Sequence, residues 1–362
     1  MYYYKIAAVT LKSPCLLQTF ERFSCDCCDA DITLEITTEL PPSGTDCPSG
    51  SIVHRRLPDG WFFHSRYTDE IGVYIREDYS LLKIYGGQDK GITPVHEWYI
   101  RIAVECLLAR RGYVSLHAAA VETEGEAFAF SGPSGVGKST RATAWIEGLK
   151  AKLVSGDRPL IDVRRNELYG VPWDGKEQCF RNVHYPLKAI CEVRRSGSVY
   201  VRNMDFSQRR KLLMRQCFLP MWDTETAAIQ MANIAHLAAG ANIVRVFCGP
   251  GKEDARALKD ALQNQMYLKE EQDMKAKEGF VLRHGVDEYI LMPTGDNIAK
   301  FNGTVLLNEV SALVWEKLQN PVSKGDLLQA ILDEYEVDRS VAAADLDALL
   351  ATLNEYGVIE GD

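Results

Sequence analysis

The chain has 362 residues, 46% of them hydrophobic and 25% charged, with a net charge of −9. These are globular proportions, and they exclude a disordered or fibrous chain; the length suggests two or three domains. No apolar run approaches the roughly 18–20 residues that span a bilayer, and residues 1–5 lack the basic and apolar segments of a secretion signal, so a cytoplasmic protein that does not engage membranes is expected.

Residues 1–112 read as strands. Val53 to Tyr85 is rich in Trp, Phe, Tyr, Ile and Val, and Pro58-Asp59-Gly60 breaks it as a turn. From His96 to Arg111 the period changes: Trp98, Ile102, Leu107 and Leu108 predict a helix that Gly112 ends. Residues 113–265 alternate strand and helix patterns. The apolar run Ala127-Phe128-Ala129-Phe130 precedes a Gly-rich turn, Thr140 to Leu149 reads as a helix and Lys152 to Ser155 as the next strand, a βαβ-like order. Asn242 to Cys248 predicts a strand and Lys252 to Leu262 a helix. Leu268 to Gly279 is almost entirely charged or polar and reads as a linker or linking helix. Beyond it, 280–282 and 288–292 predict strands, and 308–318, 324–335 and 342–356 predict helices. The expected parts are therefore 1–112, 113–267, a linker 268–278, and 279–362.

The sharpest local signal is Gly132-Pro133-Ser134-Gly135-Val136-Gly137-Lys138-Ser139, which fits G-x-x-x-x-G-K-[ST] with a strand before it and a helix after. A nucleotide triphosphate needs several N–H donors aimed at one point. Gly132, Gly135 and Gly137 allow the backbone to curl that tightly, and Ser134 and Val136 complete the cradle. The following helix adds the positive end of its dipole. Lys138 would reach the β- and γ-phosphates, the Ser139 hydroxyl would hold Mg²⁺, and Thr140 is a packing residue or a minor phosphate contact. ATP or GTP with Mg²⁺ is thus expected. Asp157, at the end of the next strand, is a second candidate ligand for Mg²⁺.

Three matches extend this reading: Leu116-His117-Ala118-Ala119 upstream, Gly132 to Ser139, and Leu153-Val154-Ser155-Gly156-Asp157 downstream. On these residues, roughly 113–265 resembles HPr kinase/phosphorylase and its relatives, which include peptide-modifying kinases and the phosphoenolpyruvate carboxykinase-like fold. The resemblance implies a functional His at 117 and an acid at 157. That family usually carries two adjacent Asp residues at the strand end, one acting as base on the acceptor hydroxyl, whereas here the pair is Gly156-Asp157. The base is then Asp157, His117, Asp174 or Glu177, or the protein binds nucleotide without transferring phosphate. Residues 151–256 hold 17 basic and 11 acidic residues, and Arg158, Lys176 and Arg181 are the candidate phosphate or acceptor clamps. No aromatic-interleaved basic motif accompanies this charge, so nucleic acid is not expected.

Residues 279–362 carry 5 basic and 15 acidic residues, leaving 36 and 35 for residues 1–278. The end of the chain is therefore a separate acidic unit, which would repel nucleic-acid phosphate. Its Tyr289-Ile290-Leu291, Ile298 to Asn302, the run Leu307 to Leu318, and Leu346, Leu349, Leu350 and Leu353 before Gly357-Val358-Ile359 resemble the PqqD-like domain. That winged-helix module recognises leader peptides of ribosomally made, modified peptides. Leu307, Val310, Val314 and Leu318 form a core stripe on one helix face. A peptide could add to a strand edge within Asn302 to Leu306, with its side chains beside a helix face within Asp345 to Tyr356.

The ten cysteines are too dilute for a disulfide scaffold and read as reduced thiols. Cys25-Asp26-Cys27-Cys28 has no second pair to complete a zinc site, and free thiols in a loop are expected. Together these readings predict an α/β P-loop kinase core of the HPr kinase type, with a β-rich N-terminal part and a C-terminal winged-helix α+β domain. Its expected activity is phosphorylation of Ser or Thr in a precursor peptide whose leader is held by residues 279–362. Other modification enzymes are further expected partners, and a homo-oligomer is expected. The alternatives are a nucleotide-binding peptide chaperone and a small-molecule kinase.

Overall fold

The computed structural model describes all residues except 28, 50–51, 65–70, 87–91, 174–177, 265–266, 269–273, 285–288, 298–303 and 361–362. The chain is a mixed α/β protein that forms two compact units, Met1–Leu268 and Lys269–Asp362.

The first unit opens with a sheet that, among the described residues, has eight strands in the order Tyr2–Ile6, Val9–Ser13, Ile32–Ile36, Leu81–Tyr85, Gly72–Arg76, Gly60–His64, Ile52–Leu57 and Cys47–Ser49. One face contributes Trp61, Phe63, Val73, Ile75, Leu82 and Ile84 to a core shared with helix α1 (Pro94–Arg110). The helix starts two residues before the expected His96. Thr93 caps it by accepting from the His96 N–H, and Pro94 occupies the first position, where no N–H is needed. The same core takes in Tyr113, Leu160, Val171 and Trp173, so the β-rich part and the region after it share one apolar interior.

The second sheet, ten-stranded among the described residues, is built around β1 (Ala118–Thr123), β2 (Glu126–Ser131), β3 (Lys152–Ser155), β4 (His184–Arg195) and β5 (Ile243–Cys248). Strands β2, β4 and β5 run parallel, in that spatial order. Strand β1 is antiparallel to β2 and also to β3. The βαβ order expected from sequence is therefore present as β2, helix α2 (Lys138–Leu149) and β3, but β1 intervenes between the two strands. The β1–β2 hairpin closes on Glu124 and Gly125, both with positive φ, a turn whose twist matches that of its strands.

The side chains of β2 explain why it reads as one apolar run. Phe128 and Phe130 face α2, where their ring centroids lie 4.8 and 5.2 Å from Trp145. Leu258 and Leu262 of helix α5 (Lys252–Gln263) share that core. Ala127 and Ala129 face the other way, towards Leu213 of helix α3 (Phe206–Gln216) and Ile234 and Leu237 of α4 (Thr224–Gly240). Helices cover both faces, so neither face is polar.

In the second unit, β6 (Phe280–His284), β7 (Tyr289–Pro293) and β8 (Val305–Leu307) form an antiparallel sheet followed by α6 (Glu309–Lys317), α7 (Lys324–Glu334) and α8 (Arg339–Glu355). Asn308, Ser323 and Asp338 cap these helices by accepting from the N–H groups of Ser311, Asp326 and Ser340. Leu291, Leu307, Trp315, Leu327, Leu346 and Leu353 make the core. Within the segment expected as a linker, Met274 bridges to Val322, and Lys275–Ala276 pair with Ile359–Glu360.

Candidate functional sites

The antiparallel direction of β1 builds the first site. Its start lies beside the ends of β2 and β3, with Ala118 opposite Ser131 and Ala120 opposite Ser155. His117, the loop after Ser131, and Asp157 therefore leave the sheet on one edge. Two hydrogen bonds fasten that edge: the Ala118 N–H donates to the Asp157 carbonyl at 2.8 Å, and Ser131 Oγ donates to the His117 carbonyl at 3.0 Å.

The loop has the curl that its glycines predict. Gly132, Gly135 and Gly137 have φ of 139°, 80° and 103°. A Cβ on Gly137 would run into the Arg141 guanidinium. Arg141 is in turn anchored at 2.6 Å on the Cys248 carbonyl of β5. Arg195, at the end of β4, donates to the Gly135 carbonyl at 2.6 Å. This arginine carries no sequence signal, because Arg194-Arg195 reads as an ordinary solvated pair. Lys138 opens α2, and its ammonium donates to the carbonyls of Gly132 at 3.0 Å and Pro133 at 3.2 Å. Burial pushes the Lys138 pKa down, the charge of Asp157 opposes that shift, and Arg158 adds to it. Ser134, Ser139 and Thr140 are exposed and Val136 is half-buried.

Asp157 sits opposite His117, with Oδ1 3.0 Å from Nδ1. The other carboxylate oxygen is 3.9 Å from Arg158 Nε. The hydrogen bond to His117 holds the Asp157 carboxyl below its usual range. Burial works against this, and the charges of His117, Arg158 and Arg101 reinforce it. The structure thus brings together Gly132 to Ser139, Lys138, His117, Asp157 and Arg158. Arg181, in the segment before β4, instead donates to the Leu153 carbonyl of β3 at 2.6 Å. Asp174, Lys176 and Glu177 lie outside the described residues. Arg101, on α1, has no motif around it, and only the fold shows its charge acting on Asp157.

The second site is a groove of about 450 Å³ in the C-terminal unit, lined by Val310, Ser311, Tyr335, Asp345, Leu346 and Leu349 among others. It lies between the start of α6, the end of α7 and one face of α8. The expected strand edge within Asn302 to Leu306 appears as β8, Val305–Leu307; Phe301, Asn302 and Gly303 lie outside the described residues. Val305 and Leu307 are buried, whereas Leu306 is 60% exposed. Strand β8 pairs with β7, and among the described residues no strand covers its other edge. Val310, which the sequence placed in the core stripe, is half-buried and lines the groove.

The family comparison bears on this second unit. Residues 288–359 match the family described as Coenzyme PQQ synthesis protein D (PqqD). The C-terminal unit is thus PqqD-like over most of its length. Two solved structures are similar to parts of this chain. One is TbiB1 in complex with the TbiA(beta) leader peptide, 26% identical, covering 24% of this chain and 96% of that one, with a TM-score of 0.21. The other is a lasso peptide synthetase B1 complexed with the leader peptide, 24% identical, covering 24% and 98%, also with a TM-score of 0.21. No curated protein matches the chain.

Among the described residues no group of three or more His, Cys, Asp and Glu side chains is placed to hold a metal ion, and Cys28 lies outside them. No helix of the described residues is long and apolar enough to cross a membrane.

Proposed function

We propose that the protein is an ATP- and Mg²⁺-dependent kinase that phosphorylates a Ser or Thr of a ribosomally made precursor peptide, whose leader is held by the PqqD domain. The observation that carries the kinase reading is the His117–Asp157 pair, 3.0 Å apart, on the same sheet edge as the Gly132–Ser139 loop and Lys138. The PqqD match and the open edge of β8 beside the apolar groove support the peptide reading.

The donor set suits a nucleotide. The loop amides and the α2 N-terminus favour phosphate. Lys138, now resting on loop carbonyls, is within a side-chain rotation of the loop's mouth. Ser139 and the Asp157 oxygen not facing His117 would hold Mg²⁺, which neutralises charge between the β- and γ-phosphates when bound. Asp157 fixes Nδ1 of His117 as the protonated nitrogen and leaves Nε2 to accept a proton. In the transfer, the acceptor hydroxyl oxygen bonds to the γ-phosphorus. The bond from that phosphorus to the β,γ-bridging oxygen breaks, and the hydroxyl proton passes to His117 Nε2. Arg158 would share the charge on the moving group.

The peptide would enter as an added strand on β8, its alternate side chains in the groove beside α8. Holding the leader there raises the effective concentration of the acceptor, so the transfer site itself can bind it weakly. The acidity of residues 279–362 favours a leader with basic residues.

Gly156 favours a second reading. With one carboxylate where the related kinases carry two, the chain could bind nucleotide and deliver the peptide to another enzyme. Mass spectrometry of the short peptide encoded beside this gene, after incubation with the protein and Mg-ATP, separates the two. A gain of one phosphoryl group that is absent with Lys138→Ala supports the kinase. Tight peptide binding with no mass change supports the delivery protein.

A further inference from the structure

Helix α1 carries a third cation, Arg101, whose charge acts on Asp157. Arg101 is mid-helix, its side chain 16% exposed. Its guanidinium carbon lies over the Trp173 ring, 5.8 Å from the centroid. Its Nε is 3.3 Å from Glu105 Oε1. Ser115 Oγ donates to that same oxygen at 2.6 Å, and Ser115 is two residues before His117. Phe20 closes the far side of Trp173, with centroids 6.5 Å apart. The guanidinium is therefore braced on two sides, by Trp173 and by Glu105, each held in turn by a further residue.

The polar groups of this cluster do not satisfy one another. Arg101 Nε, Glu105 Oε2 and Trp173 Nε1 are all buried without a hydrogen-bond partner. Arg101 and Glu105 are close enough to attract, but their geometry is not that of a hydrogen bond. Buried polar atoms in native proteins nearly all have partners, so several orphans in one region point to a missing group. Arg101 and Trp173 contribute N–H donors, whose natural partner is a group with several acceptor oxygens. A phosphoryl group fits that description, and an arginine fork suits its geometry.

We propose that Arg101, braced by Glu105 and Trp173, binds the terminal phosphoryl group of the nucleotide, so that the N-terminal part of the chain completes the phosphate site. This rests on the nucleotide reading of the Gly132–Ser139 loop. Lys138 and the loop would hold the whole phosphate chain, whereas Arg101 would touch only the group that is transferred.

The test is calorimetric binding of Mg-ADP and of the Mg complex of the β,γ-imido analogue of ATP to the full chain. Arg101→Met should weaken the triphosphate analogue about tenfold or more and leave ADP within about twofold. Arg101→Lys should recover part of the loss, because it restores charge but not the fork. Trp173→Phe, which keeps an aromatic face but loses the indole N–H together with part of the ring, should show a smaller loss of the same selectivity, and it carries the test if Arg101→Met does not fold. Equal effects on both nucleotides, or none, in the folded variants would overturn the role of Arg101 while leaving nucleotide binding intact. Failure of the unaltered protein to bind either nucleotide would overturn the underlying reading instead.

Discussion

The mouth of the Gly132–Ser139 loop and the groove of the PqqD domain solve recognition in opposite ways. At the loop, Lys138 of α2 joins the His117–Asp157 pair at the ends of β1 and β3, and each already engages protein partners. At the groove, a largely apolar lining carries Asp345 and begins at Asn308, just after β8, whose Leu306 is exposed and whose free edge no strand covers among the described residues. The first arrangement is specific for charge and geometry, as phosphate chemistry requires. The second offers backbone hydrogen bonds and apolar area, which suit a peptide that gains its structure on binding. Under the proposed function, splitting the tasks in this way would let a generic transfer site act on a selected chain.

The two sites should therefore fail separately. The largest effect is expected for Lys138→Ala: phosphoryl transfer should fall by about 10²–10³-fold, while binding of a fluorescent precursor peptide stays unchanged. Next is His117→Ala, which removes the proposed base and should lower kcat by about 10²-fold or more with nucleotide affinity retained. Leu349→Asp, on the groove face of α8, should weaken the precursor about tenfold by fluorescence anisotropy and leave nucleotide binding alone. A loss of nucleotide binding in that variant would break the separation.

The smallest effect concerns pH. The Asp157 carboxyl is held below its ordinary range, so the unfolded chain binds its proton first as the solution is acidified. The pairing with His117 thus stabilises the fold above about pH 4 and is lost as pH falls further, through the folded-state value. Denaturant melts of Asp157→Asn should lack this acid-sensitive part and converge with the unaltered protein at low pH.

Different physics made the two sites unequally legible. The loop was readable because its glycines, Lys138 and Ser139 are contiguous, and each residue type answers a local demand. His117 and Asp157 are 40 residues apart; Asp157 is legible as an acid at a strand end beside the loop, whereas His117 is indicated only by a family resemblance. The antiparallel β1 that joins them left no spacing signal in the sequence. Arg195 and Arg101 were not found at all, because an arginine in a strand pair or a helix looks solvated until the fold gives it a partner. The order of elements in the C-terminal unit was legible from its apolar periodicity, and the PqqD match agrees with that reading. Helices α3 and α4 were missed. Polar residues dominate the first, and small residues such as Ala227, Ala228, Ala238 and Ala239 give the second little periodic contrast. The strand edge expected within Asn302 to Leu306 overlaps β8, which runs on to Leu307 because Asn308 caps the next helix.

The most direct test of the central claim is the rate of phosphoryl transfer from Mg-ATP to the precursor encoded beside this gene, compared with the same precursor lacking its leader. If the PqqD domain delivers the acceptor, the full precursor should be phosphorylated at low micromolar concentration, and the leaderless peptide should need about millimolar concentration to reach the same rate. Equal rates at equal low concentrations would contradict the coupling of the two sites, and no transfer to either peptide would contradict the kinase itself.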